Sequence, residues 1–277
     1  MDQNGNDGLG YTRATGPVQA PTTIRTSTVG LDAGMVSVDA GDRAVPAYAA
    51  RPAGRTDLPL VLVISEAFGL HEHIADIARR FAHRGYFAVA PDLMGRQGDP
   101  MRYDDIGRLV NELLLTIPDD QVMHDLDATV AWARAQGASR DRLAATGFCW
   151  GGRWTWLYAA HRRLDAAVAW YGIVDGHAMF PDDTALFPRH PLAVTEDLTA
   201  PVLGLYGGQD EAIPIETVEA MRDRLRHGSE AARASTIQLY PDAPHAFFAD
   251  YRDSYSAGSA QDAWERCLAW IGERTGV

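Results

Sequence analysis

The chain has 277 residues, of which 46% are hydrophobic and 22% charged, and this composition suits one α/β domain with a sizeable core. Its formal net charge of −12 at pH 7 argues against nucleic acid and anionic membrane surfaces as partners. No segment is apolar over the length of a membrane span, and the N-terminus lacks the apolar core of a signal peptide. Secretion and membrane insertion are therefore not expected.

The only two cysteines, Cys149 and Cys267, fall in segments that we predict to be separate elements. This pattern predicts no disulfide framework and is typical of a reducing cytoplasm. Residues 1–23 are rich in Gly, Asn, Thr and Pro, and they offer little to bury. We interpret them as a flexible or draped arm before a single catalytic domain at residues 24–277, which is expected to be a monomer or homodimer.

From Met35 onward, apolar segments rich in β-forming residues alternate with amphipathic segments. The predicted elements, in chain order, are a hairpin (35–50), a strand (58–68), a helix (73–85), a strand (86–92), a helix (118–137), a strand (142–149), a helix (150–162), three strands (164–171, 200–207 and 235–243) and a helix (261–276). This order predicts an α/β fold with a mostly parallel central sheet and helices on both faces. Residues 172–199 are predicted to form a functional loop over the site.

The strongest chemical signal is the motif GFCWGG at residues 147–152, which lies between a predicted strand and a predicted helix. It matches the G-x-S-x-G nucleophile elbow with Cys149 in place of serine. Glycines flank such a nucleophile because a side chain there would strike the neighbouring strand or helix. The backbone N–H of Trp150 would then point at a developing oxyanion, and the helix N-terminus would favour a thiolate.

An elbow of this kind predicts an acid and then a histidine after the following strands, in the chain order of α/β-hydrolases. Asp210 follows the strand VLGLYGGQ, and His245 follows the next strand. His245 would accept the thiol proton while Asp210 fixes the imidazole tautomer. Asp242 and Asp175 are alternative acids.

Two further features precede the first predicted helix. The histidines of the triplet His71-Glu72-His73 are predicted to face solvent, and no metal site is assigned. Glu66 ends a central strand, where ligands bind in open α/β sheets, although a helix-capping role is the simpler interpretation.

Five segments in order resemble the dienelactone hydrolase (carboxymethylenebutenolidase) family of α/β-hydrolases. They are SEAFGLHEHI, VAPDLMGRQGD, GFCWGGR, LYGGQD and PDAPHAFFADYRDSY, within a match from about Leu31 to the C-terminus. The resemblance implies a triad of Cys149, His245 and Asp210. It also implies that Glu66 bonds the resting thiol and deprotonates it when substrate binds.

The resemblance further implies an oxyanion hole formed by the backbone N–H groups of Trp150 and Ala67. The implied reaction is the opening of an enol-lactone through an acyl-enzyme, with a small-molecule lactone or ester as partner and no cofactor. Family members hold the substrate carboxylate with arginines, one of them a few residues after the histidine. Here Arg252 lies seven residues after His245, and the candidate substrate-binding residues are Arg153, Arg252, Phe68 and Tyr171.

Several alternatives remain open from the sequence. The chain could be a general small-ester carboxylesterase or a thioesterase. Polyhydroxyalkanoate synthases also place cysteine in a G-x-C-x-G-G elbow, but their chains are much longer. A non-catalytic scaffold that binds a ligand or senses redox state through Cys149 is a third alternative, and an intact set of triad positions argues against it.

Overall fold

The structure is a computed structural model and describes residues 9–176 and 186–277. Within these residues there are eight strands: β1 (Leu31–Asp39), β2 (Ala44–Pro52), β3 (Leu58–Ile64), β4 (Phe87–Pro91), β5 (Ala138–Phe148), β6 (Ala166–Trp170), β7 (Val202–Gln209) and β8 (Thr236–Pro244). They form one sheet in the order β1-β2-β4-β3-β5-β6-β7-β8. The pairs β1–β2 and β2–β4 are antiparallel, and the other neighbours are parallel.

The parallel part of the sheet brings the predicted site residues to one edge. β3 is buried along its whole length, which explains why its sequence is apolar throughout instead of alternating. Because β3, β5, β7 and β8 run in the same direction, their carboxyl ends share one edge of the sheet. The residues that follow these ends are Glu66, Cys149, Asp210 and His245.

Helices cover both faces of this sheet, with the bounds α1 (Glu72–His83), α2 (Ile106–Glu112), α3 (Asp119–Ala135), α4 (Trp150–His161), α5 (Ile215–His227), α6 (Glu230–Arg233) and α7 (Ala257–Thr275). One apolar cluster contains Ile77 of α1 and Ile271 of α7. The other contains Leu126 of α3, Trp154 of α4 and Met221 of α5. This arrangement of three layers, with helices on both faces of one sheet, confirms the predicted α/β-hydrolase fold. None of the described helices combines the length and the apolar character that a membrane crossing requires.

The element predictions are correct for the hairpin and for the central strands and helices. β1 and β2 pair over their full length, from Leu31 opposite Pro52 to Asp39 opposite Ala44. Three helices were not predicted, α2, α5 and α6, and α2 contributes to the site described below. The predicted loop at 172–199 falls partly on residues 177–185, which lie outside the described residues, so its role over the site stays a prediction.

The described part of the N-terminal segment, residues 9–23, lies against the domain. The Thr12 hydroxyl is within hydrogen-bond distance of the carbonyl oxygens of Pro100 (3.0 Å) and Tyr103 (2.8 Å). The amide of Glu72, the first residue of α1, donates to the carbonyl of Gly10. Residues 9–16 therefore contact the structure beside the carboxyl edge of the sheet, while the division of the chain at residue 24 stays a prediction.

Candidate active site

Cys149 lies on the sharp turn between β5 and α4. Its backbone has φ 51° and ψ −111°, a conformation that costs free energy in a residue with a side chain. A Cβ atom on Gly147 would lie 2.3 Å from the carbonyl oxygen of Gly151, and one on Gly151 would lie 2.3 Å from the carbonyl oxygen of Ile64. The close approach of α4 to the strands therefore requires glycine on both sides of Cys149, as the elbow motif predicted.

Trp150 and Ala67 line the same cavity as Cys149. Neither amide donates a hydrogen bond to another group in the part of the chain that the structure describes. Trp150 is the first residue of α4, so its N–H is among those that a helix leaves unpaired at its positive end. The oxyanion hole of these two amides stays a prediction, with both residues at the cavity that Cys149 also lines.

His245 is held by Asp210 across the ends of β8 and β7. His245 Nδ1 lies 2.8 Å from Asp210 Oδ2, and the Asp210 side chain is 1% exposed. The other oxygen, Oδ1, accepts the amides of Ala212 and Ile213 at 2.8 and 2.9 Å. Because a carboxylate only accepts, Nδ1 carries a hydrogen and Nε2 is left for a second partner. Of the alternative acids, Asp242 is exposed on the surface.

The electrostatic environment of His245 couples it to Cys149. Burial by itself lowers the pKa of His245, but the charge of Cys149 and the hydrogen bonds with Asp210 and Cys149 raise it to about 10. The ring of Tyr171 packs edge-on against the imidazole, with centroids 5.2 Å apart. Tyr171 is buried, and burial raises the pKa of its hydroxyl, which therefore stays protonated.

Glu66 is a buried carboxylate with two donors on one oxygen. Its Oε1 lies 2.8 Å from His71 Nε2 and 2.9 Å from the Tyr251 hydroxyl. Burial by itself raises the pKa of Glu66, but its interaction with His71 holds the pKa below the usual range. Glu66 is therefore an anion at neutral pH. The capping interpretation of Glu66 is wrong, because the side chain that caps α1 belongs to His71.

Glu66, Cys149 and His245 border one apolar cavity of about 220 Å³. Its polar or ionisable lining residues are few, and most of the wall consists of aliphatic and aromatic side chains. The lining comprises Glu66, Ala67, Phe68, Ile106, Val110, Leu114, Leu115, Cys149, Trp150, Tyr171, Ile173, Ala212, Ile213, His245, Ala246, Ala249 and Arg252. An apolar wall with a small number of convergent polar groups is typical of a small-molecule site.

The two candidate arginines have different environments. Arg252 borders the cavity, its guanidinium carbon lies 5.3 Å from the centroid of the Phe68 ring, and no ion pair to it is found among the described residues. Arg153 is fully buried instead, and its guanidinium donates two hydrogen bonds to Asp119 at 3.0 and 3.1 Å. Arg153 is not among the described residues that line the cavity, so the structure does not bring it to the other candidates.

The histidines of the triplet at 71–73 are buried, so the prediction that they face solvent is wrong. His71 is 1% exposed and His73 is 3% exposed. The rings of Tyr11 and Tyr251 pack against them, and Tyr11 comes from the N-terminal segment, whose position the sequence pattern did not reveal. His73 Nδ1 also lies 3.4 Å from Asp250.

The sequence interpretation missed the residues of α2 and the partners of Glu66. Ile106 and Val110 of α2, and Leu114 just after it, follow the capping residue Asp105 at a spacing of four, which is a helical signal that could have found them. Tyr251 lies outside any regular element and carried no such signal.

Comparisons with known proteins agree with this fold. Residues 45–275 match the family model described as the dienelactone hydrolase family. A "Putative carboxymethylenebutenolidase" of Salmonella typhimurium is 50% identical over 96% of this chain and 96% of its own length. A protein with the same name from Methylorubrum extorquens is 49% identical over 95% of this chain and 88% of its own length.

Among solved structures, the "Putative Dienelactone Hydrolase" of Klebsiella pneumoniae superposes with a TM-score of 0.83. It is 50% identical to this chain and covers 88% of this chain and 99% of its own. The chain therefore belongs to the dienelactone hydrolase family and is a hydrolase with the α/β-hydrolase fold.

Proposed function

We propose that this hydrolase opens an enol-lactone, or cleaves a related small carboxylic ester, through an acyl-enzyme on Cys149. The observation that carries the proposal is the position of Cys149, on a strained elbow at the same cavity as His245, whose Nδ1 lies against Asp210. A nucleophile, a base with a fixed tautomer and two amide donors are the groups that acyl transfer requires.

The first half of the proposed reaction forms the acyl-enzyme. Glu66 takes the thiol proton of Cys149, as the family resemblance implies, and the thiolate forms a bond to the lactone carbonyl carbon. The carbonyl oxygen becomes an anion beside the amides of Trp150 and Ala67. The ring C–O bond then breaks, the enolate oxygen leaves with the electron pair, and a thioester remains on Cys149.

The second half uses His245 as a general base. Because the charge of Cys149 raises the pKa of His245, acylation of the sulfur removes that charge and lowers the pKa of the imidazole. Neutral His245 accepts a proton from the attacking water and passes it to the enolate. The hydroxyl group joins the acyl carbon, the C–S bond breaks, and the Cys149 thiolate regains its proton from Glu66.

Arg252 is the residue that we propose to hold a carboxylate of the substrate. It borders the cavity near Phe68, and no ion pair satisfies it in the described part of the chain. Guanidinium binds carboxylate through parallel charge-assisted hydrogen bonds. Arg153 is not proposed for this role, because Asp119 already occupies its guanidinium.

A second candidate function is a general small-ester carboxylesterase or thioesterase. The apolar wall formed by Ile106, Val110 and Leu114 favours it, because such a wall accommodates an acyl group without charge. The two candidates differ in the ratio of kcat/KM for a carboxylate-bearing lactone and a neutral ester of the same size. A ratio well above one favours the lactonase, and a ratio below one favours the esterase.

Loss of the Cys149 thiol tests the whole proposal. Cys149→Ala, or treatment with iodoacetamide, is expected to abolish turnover of dienelactone and p-nitrophenyl acetate. Cys267→Ala is the matched control, since Cys267 is fully buried and burial raises the pKa of its thiol. Full activity of Cys149→Ala would overturn the proposal, and tight ligand binding without hydrolysis of any activated ester would favour a binding scaffold.

We also propose that the protein works in a reducing compartment such as the cytoplasm. Both cysteines are unpaired, and the proposed nucleophile must stay reduced to act.

A further inference from the structure

The two donors to Glu66 come from different parts of the fold. His71 precedes α1, and Tyr251 lies in the turn segment between β8 and α7. Both donate to the same oxygen, Oε1, and both side chains are buried. The other oxygen, Oε2, is also buried and has no hydrogen-bond partner among the described residues, so the bond to the resting thiol of Cys149 that the resemblance implies is not seen. A buried carboxylate oxygen without a donor is costly, and such a group is commonly functional.

The hydrogen bonds of His71 fix its tautomer. His71 is the N-cap of α1, and its Nδ1 accepts the backbone N–H of His73 at 3.3 Å. Nδ1 therefore carries no hydrogen, so Nε2 carries it and donates to Glu66. Protonation of Nδ1 would remove the cap of α1. The geometry thus makes His71 a hydrogen-bond donor to Glu66 through Nε2.

The N-terminal segment encloses this arrangement. The ring of Tyr11 lies 5.4 Å from the His71 ring and 4.7 Å from the Tyr251 ring, measured between centroids. The Gly10 carbonyl accepts the amide of Glu72, which anchors the segment at the start of α1. Water is therefore kept from His71, which is 1% exposed.

Other ionisable groups also act on this carboxylate. The charge of His73 lowers the pKa of Glu66. The charge of Glu66 in turn raises the pKa of the Tyr171 and Tyr251 hydroxyls. The charge of Arg252 lowers the pKa of both tyrosines. The ionisable groups around Glu66 are thus His71, His73, Tyr171, Tyr251 and Arg252, and Cys149 lines the same cavity.

We propose that His71 and Tyr251 are positioning residues that saturate Oε1 of Glu66 and leave Oε2 to accept the thiol proton of Cys149. This inference rests on the role of Glu66 in the proposed function. When the proton moves from sulfur to Oε2, the sulfur keeps the electron pair and Oε1 becomes the carbonyl oxygen of a neutral acid. Both donors can still bond that carbonyl oxygen, so the proton transfer breaks none of their hydrogen bonds.

Two conservative variants separate this role from simple support of the fold. His71→Asn keeps a good N-cap, since asparagine also accepts an N-terminal amide, but its side chain is too short to donate to Glu66. Tyr251→Phe keeps the ring and loses the hydroxyl. The matched controls are His83→Asn, an exposed histidine at the other end of α1, and Tyr240→Phe, whose hydroxyl bonds Asp262.

The first measurement follows the protonation of Glu66 directly and needs no turnover. Infrared difference spectra report the band of the protonated carboxyl group. The Glu66→Gln variant lacks this band and so identifies it. The spectra are recorded over the pH range in which circular dichroism shows a folded protein. Loss of either donor is expected to raise the pH midpoint of that band by about one to two units, because each hydrogen bond to a charged group stabilises the anion. An unchanged midpoint in both His71→Asn and Tyr251→Phe would overturn the proposal.

The second measurement is the pH profile of kcat/KM for p-nitrophenyl acetate. The acid limb is expected to move to higher pH in both variants and in neither control. In a Glu66→Gln background, His71→Asn is expected to change kcat/KM less than twofold, since the residue acts through Glu66. If the infrared midpoint moves while the acid limb does not, the positioning role in catalysis is wrong. If no wild-type hydrolysis is found, the proposed function fails, and the infrared result still decides whether His71 and Tyr251 hold Glu66.

Discussion

His245 Nδ1 and Asp210 Oδ2 are 2.8 Å apart although the residues are separated by 35 positions in the chain. Neighbouring parallel strands bring them together, since Asp210 follows β7 and His245 follows β8. Two amides from the turn after Asp210 hold its other oxygen. The fold itself therefore holds the Asp210 carboxylate in the position in which it accepts a hydrogen bond from the His245 imidazole.

Asp210→Asn is expected to lower kcat by about 10²-fold or more, because the imidazole loses the partner that fixes its tautomer. KM should change little, since Asp210 is not among the described residues that line the cavity. Steady-state kinetics with p-nitrophenyl acetate measures both. Asp242→Asn, on the exposed alternative acid, is the matched control, and an equal loss in the two variants would contradict the assignment.

The raised pKa of His245 predicts how stability varies with pH. The pKa is about 10 in the folded protein against an ordinary value of 6.5. The contribution of protonated His245 to the free energy of unfolding is therefore fully present below pH 6.5. It is lost as the pH rises through about 10. Urea denaturation at about pH 6 and about pH 10 measures the loss in the free energy of unfolding.

Cys149→Ser provides the comparison for that titration. The serine hydroxyl carries no charge, so the pKa of His245 is expected to fall and the stability lost between the two pH values should be smaller. NMR titration of the imidazole reports the pKa itself. The same His245 midpoint in wild type and Cys149→Ser would show that the sulfur does not act on the histidine.

Arg153 is expected to support the fold and not the substrate. Arg153→Met leaves Asp119 as an unpaired buried charge, and the loss of one partner of such a pair costs about 3–5 kcal/mol in the free energy of unfolding. In the fraction of Arg153→Met that remains folded, the ratio of KM for a carboxylate-bearing substrate to KM for a neutral one should equal that of the wild type. Adding Asp119→Leu should recover part of the stability, and a selective rise in KM for the anionic substrate would contradict this role.

Arg252 is expected to show the opposite behaviour. Arg252→Met should raise KM for a carboxylate-bearing lactone by about 10- to 100-fold, which corresponds to the loss of a hydrogen bond to a charged group. The KM for a neutral ester should change little, because the methionine side chain still packs on Phe68. Equal effects on the two substrates would argue for the general esterase.

The motif residues were predictable because their chemistry and their place at strand ends are local properties. The glycines beside Cys149 indicate a tight turn, and the positions of Asp210 and His245 follow from the strand order. The environment of Glu66 was not predictable, because it depends on contacts between segments far apart in sequence. Tyr251 reaches Glu66 across 185 positions, and Tyr11 covers His71 from a segment with no periodic pattern.

The same limit explains the error at His71 and His73 and the unexpected burial of Arg153. Polar residues are mostly exposed, so the simplest expectation places them at the surface or the pocket rim. The fold instead buries Arg153 because Asp119 of α3 lies opposite α4 and neutralises it. It buries the histidines because hydrogen bonds and aromatic rings surround them.

The central claim is that Cys149 forms a covalent acyl-enzyme, and intact-mass spectrometry of a quenched reaction tests it most directly. His245→Gln should slow hydrolysis of the thioester, so p-nitrophenyl acetate is expected to add one acetyl group, mapped by peptide digestion to Cys149. Cys149→Ser in the same background should greatly reduce the label, while Cys267→Ala should keep it. A label on another residue, or none while the wild-type protein turns over the ester, would contradict the account.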